Sequence, residues 1–188
     1  MKKFLISSVL FLFSLACLAQ HDEKGEHDEF YPHHTLGIVI SHTILSEGVV
    51  DGKKKWLALP SWGLNYNYKF SKKWAIGLHN DFITENFVIE EHNAETIERT
   101  HPFASTIVTS FKPGTHFNYM LGFGGEFSEG ENFFLIRLGI EYEHHISKNW
   151  ELNFEVSNDF KVNAYNSWAI GLGVARVFSK KSKTAAEH

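Results

Sequence analysis

"WAIGLGVARVF" (residues 168–178) alternates strictly between large and small side chains. Trp168, Ile170, Leu172, Val174 and Phe178 share one face, and Ala169, Gly171, Gly173, Ala175 and Val177 share the other, which is the two-residue period of a β-strand. The unusual feature is the second face. A strand on a soluble sheet or barrel turns Lys, Glu, Thr and Ser toward water and hides its bulky row. Here the row opposite the bulky one is built from glycine and alanine, which suits a cramped interior and leaves the large residues to face outward.

The same contrast recurs along the chain. Trp62, Leu64, Tyr66, Tyr68 and Phe70 alternate with Ser61, Gly63, Asn65, Asn67 and Lys69. Comparable rows occupy 117–124, 134–143 and 150–157, and segments 35–43, 74–84 and 102–111 are rich in Ile, Val, Thr and Phe. Together with 168–178 these make eight predicted strands. Short connections, "SKK" (71–73), "KPGTH" (112–116) and "SKN" (147–149), alternate with mostly longer polar ones at 44–56, 88–100, 126–132 and 161–166. That rhythm predicts an up-and-down antiparallel sheet with its tight turns at one end. Aromatic residues close both ends of the bulky rows, Trp62 and Trp168 at one, Phe70, Trp74, Trp150 and Phe178 at the other. The predicted fold is therefore all-β, an eight-stranded antiparallel transmembrane β-barrel. The near-repeats "FSKKW" (70–74) and "ISKNW" (146–150) read as one solution to a strand leaving and re-entering the bilayer, and the duplicated "WAIGL" as convergent strand chemistry.

The flanks fit an exported protein. "MKKFLISSVLFLFSLACLA" (1–19) has two lysines, an apolar run and a small residue at Ala19, the pattern of a secretory signal peptide. The single cysteine, Cys17, falls inside it, so no disulfide framework is expected; Cys17 as a lipidated first residue is disfavoured by Ser14 three places before it. The organisation expected is signal peptide 1–19, a His/acid-rich tail 20–34, the barrel 35–178 and a short C-terminal tail 179–188. The net charge of −4 at pH 7, more negative without Lys2 and Lys3, argues against nucleic acid as a partner.

Signal, strand count, alternation and a last strand ending on the aromatic Phe178 together resemble the small eight-stranded outer-membrane β-barrels, the OmpA/OmpX-like barrel domain family. The resemblance implies an outer-membrane location with both termini periplasmic. It also implies a surround of outer-membrane lipid, insertion machinery that reads the last strand, and a monomer. It says little about activity, because one fold hosts many functions.

Three sets of residues could carry function. The inward rows hold Lys69, His79, Asp81, Arg137, Glu141 and Glu155, with Glu143 and Glu151 beside them, which must pair to persist in a narrow interior. A salt-bridge network around Arg137 is the expected reading and a proton or ion pathway the alternative. The tail carries His21, His27, His33 and His34 among carboxylates, a donor set for zinc or copper, and His116, His144 and His145 fall at the same predicted end. A solvated spacer is the competing reading, since no fixed ligand spacing is present. Third, "EVSND" places Ser157 and Asn158 like the serine and asparagine of a lipid-A-deacylase strand motif, but Glu155 stands where that motif has its histidine base. A non-enzymatic barrel with a structural, adhesive or small-solute-binding role is therefore expected, with a narrow transporter or channel, or less favoured a lipid-modifying enzyme, as alternatives. The long charged connections would be the binding elements.

Overall fold

The computed structural model describes residues 30–90 and 96–179 of the 188-residue chain. The strands are β1 (His33–Val50), β2 (Lys53–Lys69), β3 (Trp74–Ile83), β4 (Phe87–Glu90), β5 (Thr96–Arg99), β6 (Phe103–Phe111), β7 (Phe117–Phe127), β8 (Phe133–Ser147), β9 (Trp150–Lys161) and β10 (Asn166–Ser179). All but β4 and β5 form one closed antiparallel barrel of eight strands. It is sealed where β10 returns to β1, with His34 opposite Phe178 and Gly37 opposite Ala175. Closure removes the sheet edge, so backbone donors and acceptors are satisfied without water.

In the barrel strands the bulky apolar row is exposed and the small or polar row is buried. Ile38 and Ile40 point out while Val39 and Ser41 point in; Leu121 and Phe123 point out while Met120 points in. Ile40 is 74% exposed, and Leu121 and Phe123 are 58% exposed. A continuous outward belt of this kind is suited to acyl chains and not to water. Packed aromatic pairs edge the belt. Trp62 lies 4.3 Å from Phe82, and Phe82 4.7 Å from Phe103, at the loop end. Trp74 lies 4.8 Å from Phe111, and Phe117 5.3 Å from Tyr142, at the turn end. The small inner row also lets strands approach closely. A Cβ added to Gly124 would stand 2.0 Å from the Ser105 carbonyl oxygen, so the β6–β7 contact admits only glycine there.

The structure departs from the expected loops. Residues 44–56 are not an open loop: β1 and β2 stay paired up to Val50–Lys53 and join through Asp51–Gly52. Those two residues have φ of 53° and 70°, the left-handed pair of a two-residue hairpin turn. A polar composition concealed the strand because the hairpin runs on past the apolar belt, where no row needs to be hydrophobic. Residues 88–100 likewise contain the β4–β5 hairpin, which touches β1 where Gly48 pairs with Ile89. This hairpin folds onto the barrel mouth: Phe87 and Ile89 join Leu45, Leu59, Ile83, Phe133 and Tyr165 in the one apolar cluster of the described residues.

Candidate functional site

Because inward positions recur every second residue on eight strands, the lumen fills with side chains in layers that succeed one another from the turn end to the loop end. At the turn end the Lys69 ammonium lies 2.9 Å from Glu143 and 3.4 Å from Glu151, and Lys112 lies 2.5 Å from the other Glu143 oxygen. Next comes a carboxylate–amide layer. Glu141 and Glu155 are direct cross-strand partners on β8 and β9. Glu141 accepts from the side-chain amides of Asn118, at 3.5 Å, and Asn153. Glu155 accepts from Asn65 at 3.4 Å, which reaches across from β2.

Arg137 occupies the third layer. Its Nε and Nη2 donate to the two oxygens of Asp159 at 2.7 and 2.8 Å, and its Nη1 lies 2.7 Å from Asp81. A guanidinium can serve two carboxylates in this way because its five donors form a planar fork. His79 is buried nearby, its Nε2 3.0 Å from Asn67 Oδ1.

Beneath the apolar cap a single carboxylate, Glu126 on β7, ties the loops together. Arg99 of β5 donates to it at 2.7 Å, the Tyr165 hydroxyl at 2.7 and 2.9 Å, and Lys161 lies at 3.3 Å. Arg99 also donates to the Glu131 carbonyl at 2.6 Å and stacks over Phe133. Burial first, and then the adjacent Glu126 carboxylate, raise the Tyr165 hydroxyl well above its ordinary range, so it stays protonated as a donor. The layers and the cap together lie across the bore.

Lys69, His79, Asp81, Arg137, Glu141 and Glu155 thus all line the lumen, and the structure distributes them among three layers. The residues that complete the layers, Arg99, Lys112, Glu126, Asp159, Lys161 and Tyr165, escaped the sequence reading. Asp159 and Lys161 continue the inward row of Glu155 and Ser157 and become visible once β9 is extended to Lys161. Arg99 has no such signal, because its position depends on the hairpin folding back.

Of the proposed metal ligands, His21 and His27 lie outside the described residues. His33 and His34 sit at the start of β1 rather than in a free tail. His33 Nδ1 donates to the Tyr31 carbonyl at 2.9 Å, and His34 Nδ1 lies 2.7 Å from the Tyr66 hydroxyl. His116 stacks on Tyr142 and, at 6.4 Å, on His144 at the same end. Among the described residues no three His, Cys, Asp or Glu side chains converge as a metal site. Ser157 is buried in the lumen, while Asn158 occupies an outward position and donates to the Ser167 carbonyl at 3.1 Å.

No family model and no curated protein sequence matches the chain. Solved structures do match, among them small eight-stranded outer-membrane barrels. Ail, the attachment invasion locus protein of Yersinia pestis, aligns at TM-score 0.51 and 14% identity over 79% of this chain and all of Ail. The same protein in complex with the heparin analogue sucrose octasulfate aligns at 0.52 and 15%, with the same coverage. The N-terminal β-barrel domain of Pseudomonas aeruginosa OprF aligns at 0.49 and 11%, over 77% of this chain and 97% of the domain. The chain has the fold of this barrel class, and at these identities the likeness concerns fold alone.

Proposed function

We propose that the chain is a non-conducting, non-enzymatic outer-membrane barrel that works by binding at its loop end, as a surface adhesive or solute-binding scaffold. The observation that carries this reading is the lumen: four side-chain layers and an apolar cap lie across the bore, which supports a closed barrel over a transporter or channel. In this reading both termini are periplasmic, the surrounding partner is outer-membrane lipid, and insertion machinery engages the terminal strand ending in Phe178. The chain acts as a monomer, every barrel strand having both neighbours within it.

The β1–β2 hairpin is the proposed contact element. Its tip presents Lys53, Lys54 and Lys55, all exposed and without an ion pair among the described residues, followed by Trp56 at 71% exposure. Ammonium groups beside an exposed indole suit sulfated or phosphorylated sugars, where charge pairs with the anion and the ring stacks on the pyranose. Planar-bilayer recording tests the first claim: no discrete conductance steps are expected, and reproducible single-channel steps would favour the channel reading. Retention on immobilised heparin, lost in a K53S/K54S/K55S variant that still folds, tests the second.

A further inference from the structure

We propose that the turn-end rim around Arg176 and Lys148 is a binding surface for the headgroup of an anionic glycerophospholipid, of the phosphatidylglycerol class. This rests on the outward rows meeting lipid and is independent of what the loop end binds. Between the aromatic residues that edge the belt, Arg176 is the only Asp, Glu, Lys or Arg on the outward rows of the eight barrel strands. It has no ion pair among the described residues. Its guanidinium carbon lies instead 5.9 Å from the ring centre of Trp150 and 5.4 Å from that of Phe178. Aromatic faces hold a cation in place without neutralising it. The phosphodiester of a headgroup supplies the missing anion, and its two free oxygens match the planar fork of a guanidinium.

A second cation stands beside it. Trp150 is the register partner of Arg176, and the Val177 amide donates to the Asn149 carbonyl at 2.8 Å, which fastens the β8–β9 turn to the end of β10. That turn carries Lys148, exposed and without an ion pair among the described residues. Arg176 and Lys148 thus flank the exposed ring of Trp150, and indoles of such girdles sit at headgroup level. The rest of the rim has the same sign. Lys72 and Lys73 are exposed in the β2–β3 turn, whereas the exposed acids of the described residues, Asp51, Glu85, Glu98, Glu129 and Glu131, all stand at the loop end. The acids nearest the turn end, Glu143 and Glu151, are buried and already paired with Lys69 and Lys112. A rim with unanswered positive charge favours a net negative headgroup over a zwitterionic one.

The test is native mass spectrometry of the full-length mature barrel in detergent, titrated with phosphatidylglycerol or with phosphatidylethanolamine of the same acyl chains. Phosphatidylglycerol should bind at least about tenfold more tightly. R176Q should cut that preference about fivefold, and R176Q/K148Q should bring it close to parity. R176K, which keeps the charge and loses the fork, should fall between wild type and R176Q. Should R176Q/K148Q fail to fold, R176K and K148Q decide singly, each by a reduced preference. K53S/K54S/K55S should leave the preference unchanged, so a failure of the loop-end reading and a failure here show in different variants. Equal affinity of folded wild type for the two lipids would overturn the proposal. So would a preference retained in R176Q/K148Q, or one lost in K53S/K54S/K55S, which would place the lipid at the loop end. A preference that emerges only when "HDEKGEHDE" (21–29) is deleted would make that acidic segment the occupant, and would likewise end it.

Discussion

At the scale of single residues, Arg137 shows how one side chain can hold a lumen layer. Its three nitrogens neutralise Asp81 and Asp159, so removing it leaves a buried and a partly exposed carboxylate close together without their guanidinium partner. Breaking a buried ion pair by deleting one partner costs about 3–5 kcal/mol, whereas replacing the whole group by apolar residues is often far cheaper. R137L should therefore destabilise the barrel by about that amount in urea titrations, and R137L combined with D81N and D159N should recover most of the loss. An equal loss in the single and triple variants would mean that shape, and not charge, sets the cost. Gly124 makes the converse point, since its missing side chain is what matters. With the Ser105 carbonyl oxygen 2.0 Å from the position of an added Cβ, G124A should cost about 1–3 kcal/mol in the same assay through forced separation of β6 and β7.

At the scale of elements, the β4–β5 hairpin is held over the mouth by its apolar face and by Arg99, whose anchor is Glu126 on β7. E126Q keeps the shape but removes the charge that Arg99, Lys161 and the Tyr165 hydroxyl all address. Limited proteolysis should then cut between Asn86 and His101 faster than in wild type while the eight barrel strands stay protected. Unchanged cleavage would show that the apolar contacts alone hold the hairpin. The β1–β2 tip offers a second check: Gly52 adopts φ of 70°, so G52A should cost about 1 kcal/mol, read by urea titration, without altering the barrel. These two hairpins also mark where the sequence stopped being informative. Within the apolar belt, lipid outside and a narrow bore inside force a large/small alternation that any reader can follow, as in Trp168–Phe178. Beyond the belt that constraint lapses, so Ser46–Trp56 looks like a loop although its backbone pairs again from Gly48 after a bulge, and the inward place of Arg99 depends on a tertiary fold-back with no local period.

For the whole molecule, the candidate site was partly legible for the same reason. Parity placed Lys69, His79, Asp81, Arg137, Glu141 and Glu155 on inward rows, but parity says nothing about height along the bore or about who faces whom across it. The grouping of Asn65 with Glu155, or of Asp81 with Arg137, follows from barrel closure and strand stagger, which only the assembled sheet supplies. Fold, lumen layers and loop-end cap all depend on one arrangement, in which the bulky rows face outward and the charged rows are enclosed. The sole cysteine of the chain is Cys17, so single cysteines placed on a Cys17-free background can be spin-labelled without interference. Labels at successive positions 119–124 of β7 in reconstituted liposomes should show oxygen accessibility alternating with a period of two, high at Tyr119, Leu121 and Phe123 and low at Met120, Gly122 and Gly124. High accessibility to a water-soluble nickel reagent at Leu121 and Phe123, or the same sites becoming immobile and buried in a detergent-free soluble protein, would contradict it.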